Sequence, residues 1–159
     1  MGRPSFKFFV VFNLVMNIPL ATAMSIGGMI FSGNADKLAT PALLVNILIG
    51  FVLACIVNIV FPIPLIAMNF PKLFKIDPES VPGRILGNVP VVAIFVVIIG
   101  LAMNFVNVQL FAGAPFPAFL FAFLGTFIQM YILCYVIAMI CIPIAQGAAA
   151  KADGKGANA

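Results

Sequence analysis

The residues of this chain that could do chemistry inside its apolar segments are neutral amides and hydroxyls. They are Asn13, Asn17, Ser25, Asn46, Asn58, Asn104, Asn107, Gln129, Tyr131 and Tyr135. Such side chains donate and accept hydrogen bonds, but none of them alone is a general base or an activated nucleophile at neutral pH. An amide left unpaired in an apolar medium costs several kcal/mol. We therefore expect these groups either to hydrogen-bond between helices or to line a path for a polar solute.

The rest of the composition argues against enzyme chemistry. The chain has no histidine, and its acidic residues all lie in connections or in the C-terminal tail: Asp36, Asp77, Glu79 and Asp153. The cysteines show neither CxxC nor Cys/His metal-ligand spacing, and no phosphate-binding glycine fingerprint occurs. Proton-coupled transport usually needs an ionisable residue within the membrane, and no apolar run contains one. We expect a protein that is not an enzyme and holds no metal and no cofactor.

Small and polar residues recur at helical spacing within the apolar runs. The clearest stripe is Ala42, Asn46, Gly50, Ala54 and Asn58, which advances four residues at a time. Residues four apart share one face of a helix, so this stripe faces one way. Similar stripes run through the other three apolar segments. Small residues on such a face let helix backbones approach closely, so the stripes predict helices that pack together along them.

The composition of the chain indicates that these helices lie in a lipid bilayer. Hydrophobic residues make up 64% of the 159 residues and charged residues only 8%, with a mean hydropathy of +1.25. Four apolar runs, at about 8–30, 40–67, 89–111 and 117–144, contain no charged residue. Runs of about 20 apolar residues span a bilayer core. The sequence predicts an all-α integral membrane protein, a four-transmembrane-helix bundle that contacts the lipid bilayer.

The basic residues predict how the helices are oriented. Only Lys37 lies in the first outer connection; the other basic residues fall on the opposite side: Arg3, Lys7, Lys72, Lys75, Arg84, Lys151 and Lys155. The positive-inside rule then places both termini and the middle connection in the cytoplasm. A basic rim in that position fits anionic lipid headgroups, so we expect no nucleic-acid partner.

The first apolar run has some features of a secretory signal. Basic residues precede it, and Ala21-Thr22-Ala23 has the small-x-small form of a cleavage site. The apolar run continues to Phe31, however, which makes it long enough to span a membrane. We expect the segment to be retained as the first transmembrane helix.

The chain divides into two related halves. We predict a first transmembrane hairpin at 1–68, a basic, proline-rich cytoplasmic linker at 69–88, a second hairpin at 89–146 and a disordered cytoplasmic tail at 147–159. A shift of 79 residues places Ser25 on Asn104, and it places Asn46 on Gly125. The same shift brings Gly50 onto Gln129. Because both halves would begin in the cytoplasm, they would be tandem parallel repeats.

The hairpin pattern resembles a known family. Each half has polar and small residues in its first helix, a Phe/Gly outer turn, and a second helix that ends on proline, at Pro64 and at Pro143. Over residues 8–146 this is similar to the domain of unknown function 2798, a family of small bacterial membrane proteins in which the hairpin can occur in tandem. The resemblance implies a location in the bacterial plasma (inner) membrane, and it implies no catalytic residues.

Two functions fit these patterns. In one, the protein is a channel or transporter for a small neutral solute, and the stripes line the path. In the other, it is a structural or accessory subunit of a larger membrane complex, and the stripes serve only helix packing. A lone bundle of four helices has little room for a path, so we expect a homo-oligomer or a membrane-protein partner.

Overall fold

Four long apolar helices make up most of the computed structural model, which describes residues 5–154. They are α1 (Phe6–Phe31), α2 (Pro41–Val60), α4 (Val81–Asn104) and α5 (Ala118–Ala152); the shorter α3 (Ile63–Leu73) lies between α2 and α4. A π-helical turn, Phe105–Phe111, extends α4. All four long helices have the length and apolar composition to cross a membrane. This confirms the prediction of a multi-pass, all-helical membrane protein.

Local sequence explains where the helices begin and end. Ser5 caps α1 by accepting a hydrogen bond from the Phe8 N–H at 3.1 Å, and Ser80 caps α4 by accepting one from the Gly83 N–H at 3.1 Å. The helix α2 ends at Val60, immediately before the pair of prolines that the sequence predicts will stop it.

The four long helices form a closed ring in which each packs on two others. The helix α1 packs on α2 and α5, and α4 packs on the same two helices from the other side. Ser5 hydrogen-bonds to Asp153, so the start of α1 meets the end of α5. We call this end of the bundle, which also carries α3, the terminal end. The opposite end carries the connections at 32–40 and 112–117, and we call it the hairpin end.

Apolar side chains fill the middle of the ring and also cover its outside. Leu20, Ala54, Val96, Ile99 and Cys134 are each at most 3% exposed and form the centre of the core. Large apolar residues on the outer faces remain exposed, including every fourth residue of α2 from Leu44 to Ile56. Such a surface suits lipid rather than water.

The middle connection is more helical than the sequence predicts. The linker was placed at 69–88, yet α3 continues to Leu73 and α4 already begins at Val81. The helices α3 and α4 each have a proline in the first turn, where the missing backbone N–H of proline is tolerated. The two helices also touch: a Cβ added to Gly87 would lie 2.3 Å from the Ala67 carbonyl oxygen. Packing on α4 therefore stabilises α3, which its own sequence would support poorly.

The predicted tail also requires a correction. Residues 147–159 were expected to be disordered, but α5 continues without a break to Ala152. Alanine has the highest helix propensity, and Ala145 and Ala149 are fully buried in the bundle. Packing therefore extends α5 beyond the apolar run. Residues 155–159 lie outside the described part of the chain.

Candidate solute-binding cavity

A cavity of about 370 Å³ opens at the hairpin end, and we call it the hairpin-end cavity. All four long helices contribute to its wall. Exposed residues surround its mouth, among them Lys37 and Phe111. Buried residues form its floor: Met24, Val96 and Met130. The cavity therefore lies within one chain and needs no second copy to enclose it.

Five polar side chains of the helices line this cavity, three of them buried and two half-buried: Ser25, Asn46, Thr126, and then Asn104 and Asn107. They come from every helix of the ring, one each from α1, α2, α4 and α5, and Asn107 comes from the π-helical turn that extends α4. All except Thr126 belong to the set that the sequence singled out, so the structure brings these together. Two further polar residues and the Lys37 side chain line the cavity nearer its mouth.

Four of these five side chains have already donated a hydrogen bond to their own helix. Each pairs with the carbonyl oxygen four residues earlier: Ser25 to Ala21 at 2.8 Å, Asn104 to Gly100 at 2.9 Å, Asn107 to Met103 at 2.9 Å and Thr126 to Ala122 at 3.0 Å. Because a backbone carbonyl can only accept, the amide NH₂ or hydroxyl must be the donor in each pair. The oxygen atoms of these side chains retain their lone pairs for another partner.

Asn46 differs from the other four. It is only 2% exposed, and its Oδ1 atom is buried with no hydrogen-bond partner. A buried acceptor without a partner costs about 1–3 kcal/mol, and native proteins keep such groups rare. Asn46 also lines the cavity. The amide NH₂ of Asn46 makes no hydrogen bond to the described residues either, so a solute or water in the cavity could pair with this amide once the group turns.

A second polar group lies towards the terminal end and is satisfied internally. The Asn58 amide donates to Asn17 Oδ1 at 3.2 Å, and the Asn17 amide donates to Asn13 Oδ1 at 3.2 Å. The Asn17 amide also lies 3.5 Å from Cys55 Sγ, and Asn13 donates to the Phe9 carbonyl at 2.8 Å. We call Asn13, Asn17 and Asn58 the asparagine chain. It joins α1 to α2 and does not line the cavity.

The two tyrosines join α4 to α5. Tyr131 donates to the Val89 carbonyl at 3.0 Å, and Tyr135 donates to the Ile85 carbonyl at 2.8 Å. Their rings stack with centroids 6.2 Å apart. Each phenol thus has a partner at membrane depth, and neither tyrosine belongs to the cavity.

Gln129, which the sequence predicts to line a path or to contact another helix, lies outside the hairpin-end cavity. It is exposed on the outer face of α5, because Thr126, Met130 and Cys134 occupy the inward positions of that helix. Thr126 is the buried polar lining residue that the predicted set omits, although its spacing to Met130 and Cys134 indicates the inward face of α5. Gln109, in the π-helical turn, also has a buried Oε1 without a partner, and nothing in its spacing indicates this.

Below its floor the hairpin-end cavity is closed by the apolar core, which includes Leu20 and Ile99. The structure thus has a cavity that is closed at one end rather than an open channel. Within residues 5–154, no three His, Cys, Asp or Glu side chains lie close enough together to hold a metal ion.

Comparisons with known proteins leave the chain without a match: no family model, no curated protein and no solved structure is significantly similar to it. The resemblance to the domain of unknown function 2798 therefore stays a prediction.

Proposed function

We propose that the chain is a membrane transporter that binds a small neutral solute in the hairpin-end cavity. The observation that carries this proposal is the Asn46 side chain, which is 2% exposed, lines a cavity of about 370 Å³ and makes no hydrogen bond to the described part of the protein. Binding sites for small molecules are typically concave, mostly apolar and furnished with a few polar groups that fix orientation. The cavity has that composition, with four methionines and three phenylalanines among its lining residues.

The proposal includes an orientation in the bacterial inner membrane. The terminal end carries Lys72, Lys75 and Arg84, whereas Lys37 is the basic residue of the connections at the hairpin end. The positive-inside rule favours a cytoplasmic terminal end, where the basic rim would contact anionic headgroups. The cavity would then open away from the cytoplasm.

Because the floor of the hairpin-end cavity is closed, we favour a carrier, which changes conformation during transport, rather than a channel. To release a solute towards the terminal end, the contacts around Met24, Val96 and Met130 would have to separate. The helices contain irregular points where bending costs least: Pro19 within α1, Pro90 within α4, and the π-helical turn. Proline and π-helical turns are common sites of helix bending, and π-helical turns frequently occur at functional sites.

We also infer that the two hairpins are parallel repeats. Between α1 and α4 a shift of 79 residues places Asn17 on Val96, both buried. Between α2 and α5 the shift of 79 predicted from sequence pairs buried Asn46 with exposed Gly125, whereas a shift of 80 pairs three buried residues of α2 with three buried residues of α5. The pairs at that shift are Asn46 with Thr126, Gly50 with Met130 and Ala54 with Cys134. The intervening π-helical turn accounts for the extra residue.

A second candidate function is that of an accessory subunit. Gly125 and Gln129 lie four residues apart on the exposed face of α5, and a small residue beside an amide is typical of surfaces where membrane helices associate. This surface fits a second copy of the chain or another membrane protein. It lies apart from the cavity, so oligomerisation and solute binding can coexist.

Uptake by proteoliposomes tests the transporter proposal. We expect purified protein to accelerate entry of at least one solute in a panel of urea, acetamide and glycerol, compared with protein-free liposomes. Asn46→Leu should lower that rate about tenfold, since it removes one hydrogen bond to a bound solute. Thr22→Val is the matched control, because Thr22 bonds only to its own helix at Ile18 and lies outside the cavity. Rates equal to those of protein-free liposomes across the panel would reject transport.

A further inference from the structure

We propose that the outer face of α5 is the interface of a parallel homodimer, in which the Gln129 amide pairs with the same amide of a second copy of the chain. This inference concerns the outside of the bundle and does not rest on transport. It follows from an amide that the fold leaves without a partner at a depth where lipid cannot supply one.

Gln129 lies near the middle of the span that α5 can make across a membrane. It is about 16 Å along the helix from Ala118, the first residue, at 1.5 Å per residue, and the hydrocarbon core of a bilayer is about 30 Å thick. No charged residue occurs in α5 before Lys151. The glutamine side chain is shorter than the lysine and arginine side chains that reach the interface from within a membrane, so its amide stays in the hydrocarbon.

At this depth Gln129 has no hydrogen-bond partner in its own chain. It is exposed, and every other exposed residue of α5 from Phe121 to Ile144 is apolar, glycine or proline. Its side chain makes no hydrogen bond to residues 5–154, whereas Tyr131 and Tyr135 of the same helix both donate to carbonyls of α4. An unpaired amide in an apolar medium costs several kcal/mol. A polar group on a neighbouring helix would remove that cost.

The spacing around Gln129 fits such a neighbouring helix. Gly125, Gln129, Ile132 and Val136 are all exposed and advance by four, three and four residues. This is the spacing of the seam between two helices that cross at about 20°, the usual geometry of packed transmembrane helices. A Cβ added to Gly125 meets nothing within 4 Å in the chain itself, so another backbone can approach there. One polar residue in an apolar seam fixes the register of the two helices, and Gln129 holds that position.

Symmetry favours a second copy of this chain over a different protein. Copies inserted in the same orientation are related by a two-fold axis along the membrane normal, so their α5 helices run parallel. Each Gln129 near that axis then meets an amide at its own depth. A carboxamide both donates and accepts hydrogen bonds, so two identical amides satisfy each other. A different membrane protein would have to bring a polar side chain to this depth independently.

Cysteine cross-linking in membranes of the expressing bacteria tests the interface. With Ala at the three native cysteines, Ile132→Cys places a thiol in the seam and leaves Gln129 intact. Val52→Cys, on the exposed face of α2 at a similar distance from the hairpin end, is the matched control. We expect oxidation to link two full-length chains for Ile132→Cys and not for Val52→Cys. A cross-link from Ile132→Cys to a different protein would overturn the second-copy assignment, and no cross-link, or equal cross-linking of the two variants, would overturn the interface.

Variants of Gln129 and Gly125 test the contacts within the seam. Förster resonance energy transfer between two separately labelled pools of the protein in liposomes measures the dissociation constant of the dimer. Gln129→Leu should raise that constant about tenfold, as expected for lost interhelical hydrogen bonds, and Gln129→Asn, which keeps the amide, should raise it less. Gly125→Leu should also raise it, because the new side chain fills the seam although nothing in its own chain obstructs it. Unchanged dissociation constants in Gln129→Leu and Gly125→Leu would contradict the proposed pairing.

Discussion

Asn17 and Asn46 are both almost completely buried, but only Asn17 has its amide oxygen hydrogen-bonded. The asparagine chain joins two helices, so its groups complete one another. Asn46 lines a cavity, and its side chain makes no hydrogen bond to the described part of the protein. Two residues of one type, each on an inward stripe, therefore differ in what they contribute.

Substitution of the two asparagines should separate these contributions. Asn17→Leu removes hydrogen bonds to Asn13 and Asn58, and we expect the free energy of unfolding to fall by about 1–2 kcal/mol. Asn46→Leu removes a buried acceptor that lacks a partner and should leave the free energy of unfolding unchanged or raised. Denaturant titration in mixed micelles, monitored by circular dichroism, measures both. A larger loss of stability in Asn46→Leu than in Asn17→Leu would contradict this assignment.

The tyrosines permit a second prediction at this scale. Tyr135→Phe removes the hydrogen bond to the Ile85 carbonyl, and we expect a loss of about 1 kcal/mol in the free energy of unfolding. Urea uptake should stay at the wild-type rate, because Tyr135 does not line the hairpin-end cavity. The two readouts together distinguish a helix-joining role from a lining role. A large fall in uptake with unchanged stability would contradict the helix-joining role.

The four-residue spacing identified the inward face of α2. It could not show which inward residues line a cavity and which pack against another helix. The stripe that contains Asn46, Gly50 and Ala54 is buried, as four-residue steps predict. Whether an inward residue meets another side chain or a cavity depends on what the neighbouring helices bring to the same level. For α5 the spacing did not identify the inward face. This helix is apolar around its whole circumference, so a single polar residue such as Gln129 does not indicate which face is buried.

At the scale of elements, the contact between α3 and α4 depends on the absence of a side chain. A Cβ on Gly87 would lie 2.3 Å from the Ala67 carbonyl oxygen, a backbone atom that cannot turn aside. The sequence showed three prolines in this connection and predicted no long helix there. It could not show that glycines of α4 would let a short helix pack closely.

Two Gly→Ala substitutions test this contact. Gly87→Ala should displace α3 and lower the free energy of unfolding, whereas Gly147→Ala, whose Cβ would meet nothing within 4 Å, should leave it unchanged or raise it by up to about 1 kcal/mol. Hydrogen exchange measured by mass spectrometry should show faster exchange in α3 for Gly87→Ala alone. Equal behaviour of the two variants would show that the close approach has no energetic importance.

At the scale of the whole molecule, the number of long helices follows directly from composition, whereas the cavity does not. Four uncharged apolar runs can pair their backbone N–H and C=O groups within a membrane by forming helices. The number of long helices therefore follows from the sequence. The cavity arises from how Gly28, Gly100 and the methionines leave space between four helices at one end. That space results from the packing of four helices, so the residue pattern of a single helix does not predict it.

Cysteine labelling tests the orientation of the whole molecule in the membrane. Ala35→Cys places a thiol at the hairpin end and Glu79→Cys places one at the terminal end, both at exposed positions. In a variant with Ala at the three native cysteines, a membrane-impermeant maleimide added to intact bacterial spheroplasts should label Ala35→Cys. It should label Glu79→Cys only after the membrane is opened. The reverse pattern would place the cavity mouth in the cytoplasm.

The most direct test of the central claim is a cysteine placed within the hairpin-end cavity. Gly28 lines the cavity, and a Cβ added there meets nothing within 4 Å, so Gly28→Cys should fit without disturbing the helices. With the three native cysteines replaced by Ala, we would measure the rate at which a small water-soluble methanethiosulfonate modifies this thiol. We predict rapid modification that at least one of urea, acetamide and glycerol slows saturably. A thiol that stays unmodified, or one whose modification none of these solutes slows, would contradict a water-accessible cavity that binds a small neutral solute.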